Sequence, residues 1–388
     1  MILAGDIGGT NTRLALFDEK LSKLHEQTFR NEGRGGVVEI VWDFLNSVEG
    51  EQIDRATFGV AGPVKQGTAT MTNLPWRLDE RELARELDIR KVALINDLVA
   101  HGEGIELLRP EQLIVVQEGE STGGGRGGNR AVIAAGTGLG EGGIFWDAAA
   151  PPGGGRGQGE QAEQGGRYRA FASEGGHCDF APRDDRQIAL LKFLRGKYFN
   201  ASWERVLSGP GLRNIYDFLI TPEQLGPAAA MAEAEWGGGQ GGSGGQGGGG
   251  QGGGDVNAVQ GGQLAPAPAP APGQARQGGL TGPRPSKISE AGMKGTNAAA
   301  VEALKMFVAF YGAEAANLAL KVMATGGIYI SGGIALNIVE KLQSRTFLDA
   351  FLATGPQNIR QVLAKIPVKI VNFEHNGLYG AANFARHL

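Results

Sequence analysis

The chain has 388 residues, of which 41% are apolar and 20% are charged, and its formal net charge is −4. This length is enough for two domains with a sizeable core, and the negative charge argues against a surface dedicated to nucleic acid or to an anionic membrane. Cys178 is the only cysteine, which excludes a disulfide framework and a cysteine-rich zinc site. The sequence contains no run long enough for a membrane span and no secretory signal pattern, so a cytoplasmic protein is expected.

Glycine is unusually frequent, with 66 residues, and much of it lies in the segments 119–130, 151–166 and 226–285. Segments of this composition bury too little apolar surface to fold, so we expect three disordered Gly/Pro-rich insertions. The entropy of loop closure grows only logarithmically with loop length, so the fold can tolerate them.

The first predicted elements are two short strands, residues 1–4 and 14–17, joined by a glycine-rich turn that carries Asp6. The amides of such a turn can face phosphate oxygens, and a carboxylate beside it can hold the Mg²⁺ that accompanies a nucleotide. The turn is neither a Walker loop nor a Rossmann turn, because no Gly-Lys-Ser/Thr and no helix follow it. An ordinary glycine-rich hairpin turn is the alternative.

Strands and helices then alternate. Apolar residues at helical spacing predict an amphipathic helix over 37–48, and strands are predicted over 56–60 and 92–95. The last strand ends at Asn96 and Asp97, and open α/β sheets usually bind ligands at the carboxyl ends of their strands. Asp97 could accept a proton from an alcohol as a general base, or it could be the N-cap of a helix over 98–105. Taken alone, these residues favour the helix cap.

A second strand, glycine turn and strand follow over residues 131–146, with Gly136, Thr137 and Gly138 in the turn. This pattern resembles that of the first seventeen residues and favours a duplicated phosphate-binding hairpin, one in each half of the chain. Coincidence is the alternative in a chain so rich in glycine.

The segment 174–180 contains Glu174 and His177 separated by two glycines, which allow a tight loop that directs both side chains into one pocket. Carboxylate and imidazole groups are suited to hydrogen bonds with vicinal sugar hydroxyls. A metal site is the rival hypothesis, although no second His or Cys lies at ligand spacing. Glu204 is a further candidate, for which a solvated helix face is the simpler interpretation.

The rest of the chain predicts helices over 187–199 and 298–323, with core residues along one face of the second. A buried strand over 328–331 then leads into Gly332, Gly333 and a helix whose first turn could form a wall for an adenosine.

Six segments occur in the order of the bacterial glucokinase family, and the chain resembles that family from end to end apart from the insertions. These segments are residues 5–11, 94–97, 136–140, 174–180, 204–211 and 331–334. The resemblance implies a two-domain α/β fold of the actin-like ATPase (ribonuclease H-like) type with an interdomain cleft. The small domain would comprise residues 1–107 and 372–388, and the large domain residues 108–371. The implied activity is ATP-dependent phosphorylation of glucose at its 6-hydroxyl.

The resemblance also implies a role for each matching residue. Asp97 would be the general base, and Asp6 would orient Mg²⁺ through water. The sugar hydroxyls would be bound by Asn96, Glu174, His177 and Glu204. The nucleotide would be held by Gly8, Gly9, Thr10, Asn11, Gly136, Thr137 and Gly138 at its phosphates and by Gly332 and Gly333 at its adenosine. The expected ligands are therefore ATP, Mg²⁺ and glucose, without nucleic acid or membrane, and a homodimer is left open. Residues 72–76 resemble a family hairpin that lines the sugar cleft.

The related ROK sugar kinases share the first turn and a Glu-x-x-His segment, but they carry a zinc-binding cysteine cluster that this chain cannot form. We therefore expect the non-ROK branch, and no DNA-binding domain ahead of the first strand. A sugar sensor without turnover and a nucleotide-binding scaffold with partner contacts in the Gly/Pro-rich segments are the alternatives. A sensor of this kind should lack Asp6 or Asp97, and both are present.

Overall fold

The computed structural model describes residues 1–48, 52–71, 74–120, 128–148, 166–225 and 282–388. Most of the three predicted insertions therefore lies outside the described residues. Arg130 and Pro285, at the ends of two of them, are the first residues of a strand and of a helix.

Two mixed sheets and one small antiparallel sheet contain the strands of the described residues. The first sheet has the order β3-β2-β1-β4-β8. Its strands are β1 (Ile2–Ile7), β2 (Asn11–Phe17), β3 (Lys23–Arg30), β4 (Arg55–Val60) and β8 (Lys91–Asn96). The second sheet has the order β12-β11-β10-β13-β14-β9. Its strands are β9 (Leu113–Gln117), β10 (Arg130–Ala135), β11 (Leu139–Asp147), β12 (Arg167–Ser173), β13 (Gly327–Ser331) and β14 (Val368–Val371). The small sheet contains β5 (Val64–Lys65), β6 (Thr68–Thr70) and β7 (Arg77–Asp79).

Five strands of the second sheet repeat the topology of the first, and β9 is an additional strand antiparallel to β14. In the first, β3, β2 and β1 are antiparallel neighbours, and β4 and β8 then continue in parallel with β1. In the second, β12, β11 and β10 are antiparallel, and β13 and β14 continue in parallel with β10. This strand-for-strand match, with a glycine turn at the same hairpin of each sheet, favours duplication over coincidence.

Helices cover the sheets in layers because each apolar face must be buried against another element. The helices are α1 (Val37–Ser47), α2 (Glu80–Glu86), α3 (Asp97–Ile105), α4 (Asp185–Lys197), α5 (Gly209–Leu219), α6 (Pro222–Leu225), α7 (Pro285–Lys294), α8 (Ala298–Val322), α9 (Gly333–Asn337), α10 (Val339–Leu342), α11 (Arg345–Leu352), α12 (Gln357–Lys365) and α13 (Asn376–Arg386). Helix α1 covers one face of the first sheet, and α13 covers the other. Helix α3 packs between α13 and the second sheet, whose opposite face contacts α8.

The predicted elements agree with these bounds to within a few residues. The hairpin expected at residues 72–76 is present, since β6 and β7 pair and Met71 N donates to Trp76 O at 3.1 Å, although residues 72 and 73 lie outside the described residues. None of the helices in the described segments is long and apolar enough to cross a membrane.

Candidate active site

The first glycine turn is braced by a buried residue that sequence reasoning missed. Gly8 N donates to Asn11 O at 3.0 Å across the turn. Asn31, just after β3 and 3% exposed, donates through Nδ2 to Gly8 O at 2.8 Å and accepts from Thr12 Oγ at 2.7 Å. The side chain of Asn31 therefore fixes the turn, and no local sequence signal marks it.

Three parallel strands bring the predicted polar residues to one edge of the first sheet. Ile7 pairs with Val60, and Val60 pairs with Asn96, so β1, β4 and β8 end in line. Asp6, the penultimate residue of β1, and Asp97, which follows β8, therefore lie at the same edge.

The N-cap of α3 is Asn96, whose Oδ1 accepts from Leu98 N at 2.9 Å. Its Nδ2 also donates to Gly62 O at 3.1 Å. The interpretation of Asp97 as the N-cap of this helix is therefore wrong, because the neighbouring Asn96 is the N-cap. Asp97 is the first helical residue, and its Oδ1 accepts from Leu98 N at 3.0 Å.

Asp97 lies in an environment that disfavours its charge. Burial, followed by the charges of Asp6 and Glu174, raises the pKa of Asp97 from 3.8 to about 7, although the hydrogen bond from Leu98 N opposes the shift. Three carboxylates from different elements therefore lie within electrostatic reach of one another. A carboxyl whose pKa is near neutrality is suited to exchange a proton at physiological pH.

The second glycine turn lies beside the predicted adenosine turn. Ala134 pairs with Ser331, so β10 and β13 also end at one edge. Gly332 follows with a φ of 92°, and a Cβ there would lie 3.1 Å from Ala135 O, a close approach that favours glycine. Within the second turn, Gly136 N donates to Gly138 O at 2.8 Å. Thr10 and Thr137 are both exposed in their respective turns.

His101 connects the helix of Asp97 to this second edge. Its Nδ1 lies 3.0 Å from Ser331 Oγ, and Asn376 Nδ2 donates to its backbone oxygen at 2.8 Å. Burial lowers the pKa of His101, although Asp6 opposes the shift. Sequence reasoning did not identify this contact.

The sugar loop, which we define as residues 174–177, packs directly on the strand that follows the second turn. Glu174 precedes a short 3₁₀ helix, Gly175–His177, and the Glu174 carboxylate lies 3.7 Å from His177 Nε2. Both side chains are exposed, as a ligand-binding pair requires. A Cβ on Gly176 would lie 2.2 Å from Leu139 O, so this close packing requires glycine.

Glu204 lies on a 3₁₀ helix, Trp203–Arg205, against the second turn rather than on a solvated helix face. Its Oε2 accepts from Leu139 N at 3.2 Å. A little further along, Gly209 N donates to Gly136 O at 2.8 Å. The segment with Glu204 is thereby fixed to the turn predicted to bind phosphate.

A divalent cation fits the acidic edge of the first sheet. The described residues contain no group of three His, Cys, Asp or Glu side chains that could bind a metal without other ligands. Mg²⁺ typically uses one or two carboxylates with water and phosphate oxygens, and a cation beside Asp6 would offset the repulsion that Asp97 experiences there.

Comparisons with known proteins agree with this geometry. The glucokinase family model matches residues 3–151 and 147–388. A glucokinase of Nostoc sp. is 35% identical over 399 aligned positions, which cover 100% of this chain and 99% of the relative. The chain belongs to the glucokinase family.

Solved structures identify the fold. A glucokinase from an Antarctic psychrotroph matches with a TM-score of 0.69 and 25% identity, over 100% of this chain and 99% of that one. A ROK family glucokinase from Streptomyces griseus, solved with glucose and AMPPNP, matches with a TM-score of 0.56 and 19% identity, over 100% and 99% of the two chains. The expected two-domain α/β fold of the actin-like ATPases is confirmed, and this fold is shared with ROK proteins.

Proposed function

We propose that this chain transfers the γ-phosphoryl group of ATP to the 6-hydroxyl of glucose, with Asp97 as the general base. Membership of the glucokinase family over the whole chain confirms the expected activity. The role of Asp97 is supported by its position at the edge shared with Asp6 and by the rise of its pKa to about 7.

Asp97 would remove the proton of the 6-hydroxyl as the oxygen attacks the γ-phosphorus. The bond from the γ-phosphorus to its bridging oxygen breaks, ADP leaves, and Asp97 later releases its proton to solvent. Leu98 N, 3.0 Å from Oδ1, orients the carboxylate, and the neighbouring Asn96 caps the helix in its place. Positioned proton transfer of this kind typically contributes ~10²–10⁴-fold to the rate.

The sugar hydroxyls would be bound by Asn96, Glu174, His177 and Glu204. In the described residues, Asn96 uses one amide hydrogen and one lone pair in its own hydrogen bonds, so a hydroxyl can use the others. Glu204 already contacts the second turn, which would connect the sugar to the phosphates.

The nucleotide would lie between the two glycine turns, with its phosphates at the turn amides and its adenosine beside Gly332 and Gly333. Asp6 would hold Mg²⁺ through water, and the ion would neutralise charge on the transferring phosphoryl group. A positive charge beside Asp6 would also reduce the repulsion that Asp6 exerts on Asp97.

We further propose the non-ROK branch, domain limits of 1–107 with 372–388 and of 108–371, and a cytoplasmic location where ATP is available. The branch is supported by the single cysteine, Cys178, which cannot supply a zinc cluster. The domain limits are supported by α13, which packs against the first sheet through Leu378 and Ala382.

A kinetic assay over a panel of hexoses with ATP and Mg²⁺ tests the substrate and the donor together. Glu174→Gln and His177→Ala should each raise the KM for glucose at least tenfold and leave the KM for ATP nearly unchanged, because both side chains lie on the sugar loop. Glu302→Gln is the control, because Glu302 is a half-buried carboxylate on α8 that pairs with Arg186. An equal rise in both KM values would show that the loop does not bind the sugar selectively.

A further inference from the structure

A buried pair of carboxyl groups lies beneath the sugar loop. Glu141, the third residue of β11, is 1% exposed, and its carboxyl faces Glu314 of α8, which is 0% exposed. These two residues lie far apart in the sequence, one on a strand and one on a helix. Neither belongs to the site described above. Two carboxylates buried together would repel each other strongly, so one of them must hold a proton at neutral pH.

The hydrogen bonds place the negative charge on Glu314. Its two oxygens accept from Asn317 Nδ2 at 2.7 Å and from Lys321 Nζ at 3.1 Å. Among the described residues, no amide, hydroxyl or ammonium group donates to either carboxyl oxygen of Glu141. Glu141 is therefore the member that keeps the proton and can donate it to Glu314.

The titration of Glu141 agrees with this assignment. Burial, followed by the charge of Glu314, raises the pKa of Glu141 from 4.5 to about 8, although Lys321 opposes the shift. Among the described residues, the other ionisable groups near the pair are Cys178, which lies near Lys321, and Arg183, which is attracted to Glu314. Below about pH 8 Glu141 is neutral, and above it the pair carries two negative charges.

The sugar loop packs on Glu141 without a gap. Glu141 pairs with Ser173, the residue just before Glu174, across β11 and β12. A Cβ on Gly175 would lie 1.9 Å from Glu141 Oε2, so the backbone of the loop contacts the carboxyl. Gly175 N donates to Ser173 Oγ at 3.0 Å, which connects this contact to the strand. A displacement of the Glu141 carboxyl towards Gly175 would therefore move the loop.

We propose that protonated Glu141 is a positioning residue, which holds the sugar loop in its glucose-binding conformation through its contact with Glu314 on one side and Gly175 on the other. Loss of the proton places a second charge in the buried pair. The carboxyl then moves towards water and displaces the loop. This inference rests on the proposed function, because it assumes that Glu174 and His177 bind glucose.

The expected consequence is a loss of glucose affinity at alkaline pH. With a pKa of about 8, the protonated fraction of Glu141 falls about tenfold between pH 7 and pH 9, so the Kd for glucose should rise about tenfold over this range. The Kd for ATP should stay constant over the same pH range, because the contact with Glu141 is made by the sugar loop and the nucleotide would lie at the two glycine turns.

Glu141→Gln provides the test, since the amide keeps the shape and can donate to Glu314 but does not titrate. Calorimetry of glucose binding at pH 7, 8 and 9 should show the tenfold loss in the parent chain and a flat profile in the variant. Glu302→Gln on the same helix is the matched control and should keep the parent profile. Should Glu141→Gln not fold, Glu141→Met removes the titration at similar volume.

The exposed thiol of Cys178, the residue directly after the loop, gives a readout that does not depend on sugar or activity. Ionisation of the thiol speeds its labelling by a disulfide reagent equally in the parent chain and in the variant. The ratio of the labelling rate in the parent to that in Glu141→Gln therefore reports the displacement of the loop alone. This ratio should be near one at pH 7 and rise several-fold by pH 9. Equal pH profiles for parent and variant in labelling and in binding would overturn the inference. A changing labelling ratio without any glucose binding would instead refute the proposed function and leave the positioning role of Glu141 standing.

Discussion

Replacing Asp97 with Asn removes the proposed general base while preserving the size of the side chain. Because a positioned base contributes ~10²–10⁴-fold, we expect kcat to fall by that factor. The KM for glucose should stay within about tenfold, since Asp97 acts mainly in the transition state. Asp185→Asn is the matched control, because Asp185 is the exposed first residue of α4 as Asp97 is the first residue of α3.

The pH profile supplies a second, independent test of the same residue. The base must be deprotonated to act, so the activity of the parent chain should fall about tenfold per pH unit below the pKa of Asp97. This pKa is about 7 in the chain without a cation, and a cation beside Asp6 would lower it. The residual activity of Asp97→Asn should lack this acid limb. Glucose 6-phosphate is best quantified directly, so that no coupling enzyme contributes its own pH dependence.

The same pKa shift also makes a prediction about stability. A carboxyl with a pKa of 3.8 in the unfolded chain and about 7 in the folded one binds more protons when folded, so the free energy of unfolding falls as pH rises from about 4 to about 7. A shift of this size corresponds to at most about 4 kcal/mol. Asp97→Asn should therefore raise the Tm at pH 8 and have little effect near pH 4. A variant that keeps a tenth or more of the parent kcat and gains no stability at pH 8 would refute the assignment of Asp97 as a desolvated base.

Two further substitutions test how the turns are held. Asn31→Ala leaves Gly8 O and Thr12 Oγ without their partner, so we expect a loss of about 1–3 kcal/mol in urea unfolding and a larger rise in the KM for ATP than for glucose. An unchanged KM for ATP would show that the first turn does not contact the nucleotide. Tyr311→Phe removes the hydroxyl that accepts from Ala135 N at 3.1 Å just before the second turn, and it should cost about 1–3 kcal/mol in the same assay. Unchanged stability would mean that another group satisfies this buried amide.

The sequence allowed prediction of those site residues that stand in local patterns. Both glycine turns and Asp97 lie where an apolar strand ends, and this arrangement can be identified from a few adjacent residues. The cap of α3 could not be assigned, because Asn96 and Asp97 are equally good N-caps and only the backbone conformation distinguishes them. Local patterns therefore locate a site better than they assign roles within it.

The residues that sequence reasoning missed act across long separations in the chain. Asn31 braces a turn more than twenty residues earlier, because β3 returns beside β2. Glu141 meets Glu314 only because α8 packs on the second sheet. Glycines lie near both Asn31 and Glu141 in the sequence, but no pattern around either one indicates its distant partner. Pairing of this kind depends on the tertiary fold, so a single sequence contains no local signal for it.

Helix α3 connects the proposed base to the edge of the second sheet. Its first residue is Asp97, and His101 lies four positions later on the same face, where it contacts Ser331 just before the predicted adenosine turn. The helix also packs between α13 and the second sheet. A rotation of one sheet relative to the other would therefore move the proposed base relative to the nucleotide turns, with α3 as the pivot. Closure around glucose would then also set the distance from the proposed base to the phosphate.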